Sequence, residues 1–311
     1  MQSYPFKQVD VFTATPYLGN PLAVVMNAGT ALDETDMQRF AKWTNLSETT
    51  FILPPADPSA DYRVRIFTPS GELPFAGHPT LGTCHAWLQA GGKPRNKDFI
   101  VQECKVGLVR IRREPGTGGA ADRLAFAAPP LKRTAPGPVV LAQVAAALGL
   151  KSPQITAAQM LDNGPAWLGL LLDSPDTVLR LTPNNLELEK LNVKVGVAAL
   201  YAEEAAPALI GRANREAKAF GKSPSATVKG PDLEVRAFAP CIGINEDPVT
   251  GSFNASLAQW LMAEAYVPER YVASQGVCLG RAGLVHLERD ASGQVWVGGE
   301  SVTCIDGAVT L

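Results

Sequence analysis

A helix that is buried on nearly every side is the feature that most constrains how this chain can fold. The sequence of residues 75–92, FAGHPTLGTCHAWLQAGG, predicts it, since only His85 and Gln89 are clearly polar after the first turn. The small residues and the histidine at its start leave unpaired backbone N–H groups and the positive end of the helix dipole inside the protein. An anion is the natural partner of such a helix end. We therefore predict that Gly77 and His78 form one half of a carboxylate-binding site.

Composition and charge exclude several classes of protein. The 311 residues are 46% hydrophobic with a net charge of −2, and the 28 Lys and Arg residues are scattered, which argues against a nucleic-acid partner. No stretch reaches the roughly 20 apolar residues of a membrane helix, and the first residues lack the apolar run of a signal peptide. The sequence therefore predicts a soluble, cytoplasmic globular protein with no membrane partner.

Cysteine and histidine spacing argues against a disulfide framework and against a metal site. The five cysteines lie far apart, form no C-x-x-C pair and are odd in number, so we expect them to be buried and reduced. Two of the three histidines, His78 and His85, are about 10.5 Å apart along a helix, which is too far for one ion. No metal and no cofactor is predicted.

Hydrophobic alternation and helix-end signals predict a mixed α+β chain. Asp33 is predicted to cap a helix whose core side carries Met37, Phe40, Ala41 and Trp43. The stretch 205–231 is rich in Ala, Lys and Arg, and we interpret it as a variable excursion with possible helix. Predicted strands cover residues 6–12, 22–26, 45–53 (after a turn), 62–67, 100–101, 107–112, 167–172, 193–201 and 233–238, and predicted helices cover 33–44, 78–90, 139–148, 183–192 and 248–263.

A weak internal repeat predicts two copies of one structural unit. Residues 64–69 (VRIFTP) match 235–240 (VRAFAP), and each run leads into a nearly chargeless helix. After these helices, residues 107–111 (GLVRI) match 283–287 (GLVHL). Matching order in both strand runs and the helix makes chance similarity the weaker explanation. The two helix N-termini are then expected to form a shared site.

The start of the second buried helix contains the second group of candidate residues. Asp247 can be a helix N-cap with Pro248 in the first turn, which is a purely structural interpretation. The functional interpretation rests on the matching helix start in the first half, because two such starts facing each other would form a dry, donor-rich pocket. Thr250, Gly251 and Ser252 would then supply N–H and hydroxyl donors.

Glu48 is the best candidate for a catalytic base. An arbitrary glutamate in a turn is more often solvated. The flanks of Glu48 are those of a residue entering the core, where loss of solvent would raise its pKa toward that of a proton shuttle. His78 could donate a hydrogen bond to a substrate as a neutral imidazole or could be a core histidine, and His85 is predicted to be core.

Several short motifs lie in order along almost the whole chain: GNPLAV (19–24), NLSETTF (45–51), LPFAGHPT (73–80), EDPVTGS (246–252), QG (275–276) and GR (280–281). Together they resemble those of the phenazine-biosynthesis isomerase family (PhzF-like). The resemblance implies a diaminopimelate-epimerase-like fold, in which two pseudo-symmetric mixed β-barrel-like domains each wrap around a central buried helix. The site would lie in the cleft between the domains.

The resemblance also assigns site residues and partners, whereas a shift to Gly and Ala at residues 115–121 and a proline-rich stretch at 129–138 place a domain boundary near residue 125. It implies that Glu48 matches the family's acid/base carboxylate and that His78, Asp247 and Ser252 match its supporting residues, without a cofactor and commonly in a homodimer. We predict a first domain of residues 1–125 completed by 296–311, and a second of 126–295. The catalytic residues are predicted to be Glu48, Asp247 and His78, and the substrate-binding residues Asn20, Ser47, Gly77, Thr250, Gly251 and Ser252.

One departure from relatives of this fold bears on mechanism. Epimerases and proline racemases of the superfamily place a cysteine at each of the two helix starts, whereas this chain has Ala76 and Pro248 near those positions. A two-thiol racemase is therefore not expected. The stretch 205–231 also looks longer than the corresponding connection in the family, so it leaves the size of the substrate open.

The sequence therefore predicts a cofactor-independent isomerase that moves a proton on a small carboxylate-bearing metabolite by general acid/base catalysis. An alternative is an epimerase or racemase with Glu48 and Asp247 as opposed bases. A second alternative is a non-catalytic protein that binds small acids in the same cleft.

Overall fold

The computed structural model describes residues 2–29, 32–114, 122–202 and 230–311, and within them one mixed sheet and six α-helices account for the fold. The strands are β1 (Ser3–Val11), β2 (Asn20–Val25), β3 (Glu48–Leu53), β4 (Tyr62–Thr68), β5 (Gly71–Leu73), β6 (Ile100–Cys104), β7 (Gly107–Glu114), β8 (Arg123–Ala127), β9 (Lys132–Thr134), β10 (Ile155–Asp162), β11 (Ala166–Leu172), β12 (Val195–Leu200), β13 (Leu233–Ala239), β14 (Ile244–Asp247), β15 (Arg270–Gln275), β16 (Gly283–Arg289), β17 (Val295–Gly299) and β18 (Ser301–Thr310). The helices are α1 (Glu34–Thr44), α2 (Gly77–Gln89), α3 (Pro138–Leu148), α4 (Pro175–Arg180), α5 (Asn185–Leu191) and α6 (Gly251–Ala263).

Two series of strands pair in the same order along the sheet. In the first series, β1, β2, β3, β4, β6, β7 and β8 are neighbours, and the successive pairs are antiparallel, parallel, antiparallel, parallel, antiparallel and antiparallel. The second series, β10, β11, β12, β13, β15, β16 and β17, repeats that order of directions. The two series are joined by the β8–β17 pair, and the C-terminal β18 pairs with β1.

The helices α2 and α6 lie inside the curved sheet and share one hydrophobic core. The first eight residues of α2 are buried, and α6 is buried over most of its length. The main apolar cluster contains side chains of both helices and of strands from both series. Two smaller clusters lie elsewhere: one holds side chains of α3, α4 and α5 with β10–β13, and the other holds those of α1 with β1–β4. The sheet therefore carries the two buried helices on one side and the short helices on the other.

Several predicted elements are confirmed at their ends. Asp33 caps α1 by accepting a hydrogen bond from the Asp36 N–H, and Gly149 ends α3 in the left-handed conformation that glycine adopts most easily. The prediction that Trp43 faces the core is wrong, because this side chain is 79% exposed at the end of α1.

The two buried helices begin at residues other than those predicted. Helix α2 begins at Gly77, so Pro79 is its third residue, where its missing N–H would have had no partner in the helix. Helix α6 begins at Gly251 after the N-cap Thr250, and Asp247 ends β14 instead of capping the helix. Pro248 thus lies outside the helix. The reason is that the Asp247 carboxylate has better partners in neighbouring side chains, as described below.

Other differences concern segments with weak patterns. Strands β10 and β15 were not predicted, and both alternate only partly between buried and exposed side chains. Cys84 and Cys104 are buried as expected, but Cys278 is exposed, and all five cysteines are free. The predicted excursion at 205–231 lies, up to residue 229, outside the described residues. No finding tests the predicted domain boundaries.

Candidate active site

The N-termini of α2 and α6 meet directly. A Cβ placed on Gly77 would lie 3.0 Å from the Cα of Gly251, and one placed on Gly251 would lie 3.1 Å from the backbone N of His78. Neither helix has a side-chain cap. Two positive dipole ends with uncapped N–H groups therefore converge on one region, which favours negative charge there.

Glu48, the first residue of β3, brings a carboxylate to this region. The residue is 9% exposed, and its Oε2 atom lies 3.3 Å from Nε2 of His78. Neither atom forms a hydrogen bond, although both are buried. Burial raises the pKa of Glu48 well above 4.5, and the nearby Asp247 charge raises this pKa further.

Asp247, the last residue of β14, is the second carboxylate and is held by two donors. Its Oδ1 accepts a hydrogen bond from Asn20 Nδ2 at 2.9 Å, and its Oδ2 accepts one from the Thr250 hydroxyl at 2.7 Å. Burial raises the pKa of Asp247 to about 6, while the two donors act in the opposite direction. Since Glu48 has no such donors, a single proton on this pair resides on Glu48, and Asp247 is the ionised member.

His78 is neutral at this site. Burial lowers its pKa to about 3, and the residue is 3% exposed. Its Nδ1 atom lies 3.4 Å from Asn20 Nδ2. The structure therefore brings Asn20, Glu48, His78 and Asp247 together from four elements, although these residues span most of the chain.

Ser252, in the first turn of α6, is oriented by two residues from the β10–β11 region. Trp167 Nε1 donates to the Ser252 Oγ at 3.2 Å, and Asn163 Nδ2 donates to the Ser252 carbonyl oxygen at 3.2 Å. Because the hydroxyl oxygen accepts the indole N–H, the hydroxyl proton is available for donation. Asn163 and Trp167 were not predicted, and their position beside Ser252 depends on the tertiary fold.

Two buried amides that were not predicted as site residues hold the loop between β14 and α6. Gln275 donates to the Asp247 carbonyl oxygen and to the Thr250 hydroxyl oxygen, and its own oxygen accepts from the Thr250 N–H, each at 3.0 Å. Asn254 donates to the same Gln275 oxygen at 2.8 Å. The backbone N–H and the hydroxyl of Thr250 were predicted to donate to a substrate. Both instead donate to protein acceptors, namely Gln275 and Asp247. The Gln275-Gly276 motif was the signal that could have identified Gln275.

A cavity of about 470 Å³ lies near the starts of β3 and β14, and neither Glu48 nor Asp247 lines it. Its lining includes Ser47 and Glu246, the residues immediately before Glu48 and Asp247. Ser47 is half-buried. The cavity is bounded by residues of both strand series, so a small molecule there would lie between them.

Two further observations are negative. Among the residues that the structure describes, no three His, Cys, Asp or Glu side chains are grouped closely enough to hold a metal ion. No helix in the described ranges is both long and apolar enough to cross a membrane.

A buried pair of carboxylates with separated pKa values, next to a neutral histidine and two helix N-termini, is an arrangement suited to general acid/base chemistry. The sequence profile of the phenazine biosynthesis-like protein family (PhzC-PhzF) matches residues 9–307. The chain therefore belongs to this family, and its enzyme class is that of the PhzF-like isomerases.

Individual relatives cover the whole chain. Antisense-enhancing sequence 1 of Schizosaccharomyces pombe is 35% identical over 99% of both chains. Trans-2,3-dihydro-3-hydroxyanthranilate isomerase of Pseudomonas aeruginosa is 30% identical, over 97% of this chain and 98% of its own.

Solved structures share the fold. A PhzF family protein of Bacillus anthracis aligns over 100% of both chains with a TM-score of 0.78 at 22% identity. A probable proline racemase of Agrobacterium radiobacter covers 99% of this chain and 92% of its own, with a TM-score of 0.61 at 13% identity. The chain thus has a mixed, sheet-dominated α+β fold found in both PhzF proteins and proline racemases.

Proposed function

We propose that the protein is an isomerase that moves a proton between two carbons of a small carboxylate-bearing substrate, with Glu48 as the proton shuttle. The observation that carries this proposal is the pair Glu48 Oε2 and His78 Nε2, which are 3.3 Å apart, buried and without hydrogen bonds. Buried polar atoms almost always have partners, so this pair is poised for a substrate group.

The different surroundings of the two carboxylates supply the acid/base roles. With its pKa raised well above the usual value, Glu48 is the stronger base of the two carboxylates. Asp247, with a pKa of about 6, is ionised near neutral pH. Ionised Glu48 can then take a proton from one carbon and return it to another, while Asp247 maintains the field that keeps Glu48 basic.

The two helix N-termini would hold the negative charge of the substrate. Uncapped N–H groups of Gly77 and His78 on one side, and of Gly251 and Ser252 on the other, can donate to a carboxylate or to a developing enolate. The Ser252 hydroxyl adds a donor, since Trp167 occupies its oxygen. Neutral His78 can donate through Nε2 but cannot itself be a strong acid.

The printed name of the Pseudomonas relative gives the first substrate to test, a dihydro-hydroxyanthranilate. We propose a cyclic carboxylic acid of this kind, because the two uncapped helix N-termini can hold its carboxylate next to Glu48. We also interpret the two strand series as two pseudo-symmetric barrel-like domains with the site in their shared cleft. A homodimer and a cytoplasmic location remain predictions.

The proposal is tested by replacing Glu48 with glutamine, which removes the base while keeping the shape. We expect Glu48→Gln to bind ligand yet lose turnover by about 10²–10⁴-fold. The matched control is Glu234→Gln, since Glu234 is a second buried glutamate with a raised pKa but faces Tyr201 instead of the cleft. A Glu48→Gln variant within about tenfold of the wild-type rate would contradict the proposed role.

A second candidate, an epimerase with opposed bases, is favoured by the presence of Asp247 as a second buried carboxylate with a raised pKa. Reaction in D₂O separates the two. An isomerase with one shuttle gives a product with a shifted double bond or carbonyl, with deuterium at the new C–H and some internally transferred hydrogen. Recovered substrate that carries deuterium at an inverted stereocentre, measured by NMR and mass spectrometry, would establish the epimerase instead.

A further inference from the structure

Asn20 connects the two strand series at the centre of the candidate site. It is the first residue of β2, it is 0% exposed, and its amide nitrogen reaches β14 and the loop that precedes α6. Asn20 Nδ2 donates to Asp247 Oδ1 and to the Val249 carbonyl oxygen, each at 2.9 Å. The same nitrogen lies 3.4 Å from Nδ1 of His78.

The backbone turn before Asn20 fixes the position of its side chain. The Gly19 N–H donates to Asp10 Oδ2 at 2.9 Å, and a Cβ on Gly19 would lie 2.2 Å from the Val11 carbonyl oxygen. Only glycine fits such a close approach, so the turn holds Asn20 in a fixed position.

The orientation of the Asn20 amide follows from its neighbours. Asp247 Oδ1 and the Val249 oxygen are both acceptors, so the NH₂ end of the amide must face them. Both amide protons therefore already have protein partners. The prediction that Asn20 binds substrate is untested, and a substrate would find no free donor on this nitrogen.

The same orientation determines where the proton of neutral His78 resides. A proton on Nδ1 would point at an amino group that cannot accept it. The proton is therefore on Nε2, which faces Glu48 Oε2 at 3.3 Å. Asn20 thus affects two groups. It favours an N–H donor at Nε2 of His78, next to Glu48, and it favours the ionised carboxylate of Asp247.

We infer that Asn20 is a positioning residue that holds the Asp247 carboxylate in its ionised form and fixes the Nε2–H tautomer of His78 across the cleft. This inference rests on the proposed function only for its kinetic consequence. The charge and tautomer of the free enzyme can be measured without any substrate.

The groups around Asp247 predict the direction of the effect. Glu246 from β14 is acidic and favours protonation of Asp247, Glu48 from β3 binds a proton before Asp247 does, and neutral His78 from α2 adds no charge. Thr250 remains as the second donor. Loss of the Asn20 hydrogen bond should therefore raise the titration midpoint of Asp247 by about one pH unit.

The direct test is NMR of the free enzyme. Titration of ¹³C-labelled aspartate, with Asp247→Asn to assign the signal, should give a midpoint that is higher in Asn20→Ala than in wild type. The ¹⁵N shifts of His78 should indicate Nε2–H in wild type and a mixture of tautomers in Asn20→Ala. The matched control is Thr250→Val, which removes the other donor and should move the Asp247 midpoint while leaving the His78 tautomer unchanged.

The kinetic test uses trans-2,3-dihydro-3-hydroxyanthranilate as the probe. The acidic limb of kcat/KM reports the free enzyme, so it should move upward by about one pH unit in Asn20→Ala. A higher KM with an unmoved acidic limb would mean that Asn20 contacts substrate, and this would overturn the inference.

Three further outcomes can each be interpreted. If Asn20→Ala fails to fold, Asn20→Asp preserves the shape, removes the donor, and should raise the Asp247 midpoint still more. A wild-type enzyme with the His78 proton on Nδ1 would refute the inference by itself. A failure to turn over the probe would weigh against the proposed substrate, whereas the NMR results would still decide the role of Asn20.

Discussion

Replacement of Asp247 by asparagine should stabilise the protein at neutral and alkaline pH while it impairs catalysis. In the fold, burial raises the pKa of Asp247 to about 6, compared with 3.8 for an aspartate in water. A raised pKa means that this group contributes stability below about pH 3.8, and that this stability is lost as pH rises through 6. The ionised carboxylate therefore lowers the free energy of unfolding at pH 8.

The size of the effect follows from the pKa difference. A rise in pKa from 3.8 to about 6 corresponds to a change of about 3 kcal/mol in the free energy of unfolding. About 2 kcal/mol of this change develops between pH 4.5 and 8. In Asp247→Asn this pH dependence disappears, and the new side chain can still accept from Asn20 and donate to the Thr250 oxygen. Removal of the Asp247 charge also lowers the raised pKa of Glu48, which acts in the same direction.

The assay is equilibrium unfolding in urea at pH 4.5 and 8 for both proteins. The free energy of unfolding of the variant, relative to wild type, should increase by about 2 kcal/mol between the two pH values. The control is Asp290→Asn, because hydrogen bonds from Ser292 and Trp296 lower the pKa of Asp290 to about 2. That variant should be less stable than wild type at both pH values, since a lowered pKa contributes stability above 3.8. A difference between Asp247→Asn and wild type that does not change with pH would refute the reasoning.

Two other predictions concern the helix contact and the cysteines. Gly77→Ala should lower the free energy of unfolding by about 1–3 kcal/mol, because the added Cβ would lie 2.8 Å from Phe126 Cζ and 3.0 Å from Gly251 Cα. Urea unfolding measures this effect, with Gly71→Ala as the control, since nothing lies within 4 Å of its added Cβ. Replacement of all five cysteines by Ser or Ala should leave the specific activity of the folded fraction unchanged, because Cys84 and Cys104 are buried and their pKa values are raised by burial. Loss of activity that traces to a single cysteine in a folded variant would restore a thiol mechanism.

The helices whose ends carry strong local signals could be predicted from the sequence. Asp33 and Gly149 act through atoms within a few residues of the chain, so the pattern alone locates the start of α1 and the end of α3. The error at Trp43 has a different origin. The residue lies one position before the end of α1 and stacks on Phe40 at a centroid distance of 6.2 Å, so it covers the surface of the core without entering it.

The residues of the candidate site could be predicted from the sequence, but the contacts between them could not. Motifs identified Glu48, His78 and Asp247, yet the hydrogen bond from Asn20 to Asp247 joins residues 227 positions apart. The local sequence pattern around either residue contains no information on a contact with the other. For the same reason the start of α6 was misplaced: Asp247 looks like an N-cap in isolation, and only the fold reveals that Asn20 and Thr250 occupy its oxygens.

The contact between the two helix starts explains why the reacting side chains come from strands. Gly77 and Gly251 lie so close that a Cβ on either one meets the backbone of the other helix. No side chain can project from these two positions into the space between the helices, so acid/base groups must reach the converging N–H groups from the side. Glu48 at the start of β3 and Asp247 at the end of β14 do so from the two strand series. Of these two carboxylates, Asp247 alone receives side-chain donors, from Asn20 and Thr250, and these donors separate the pKa values on which the proposed proton transfer depends.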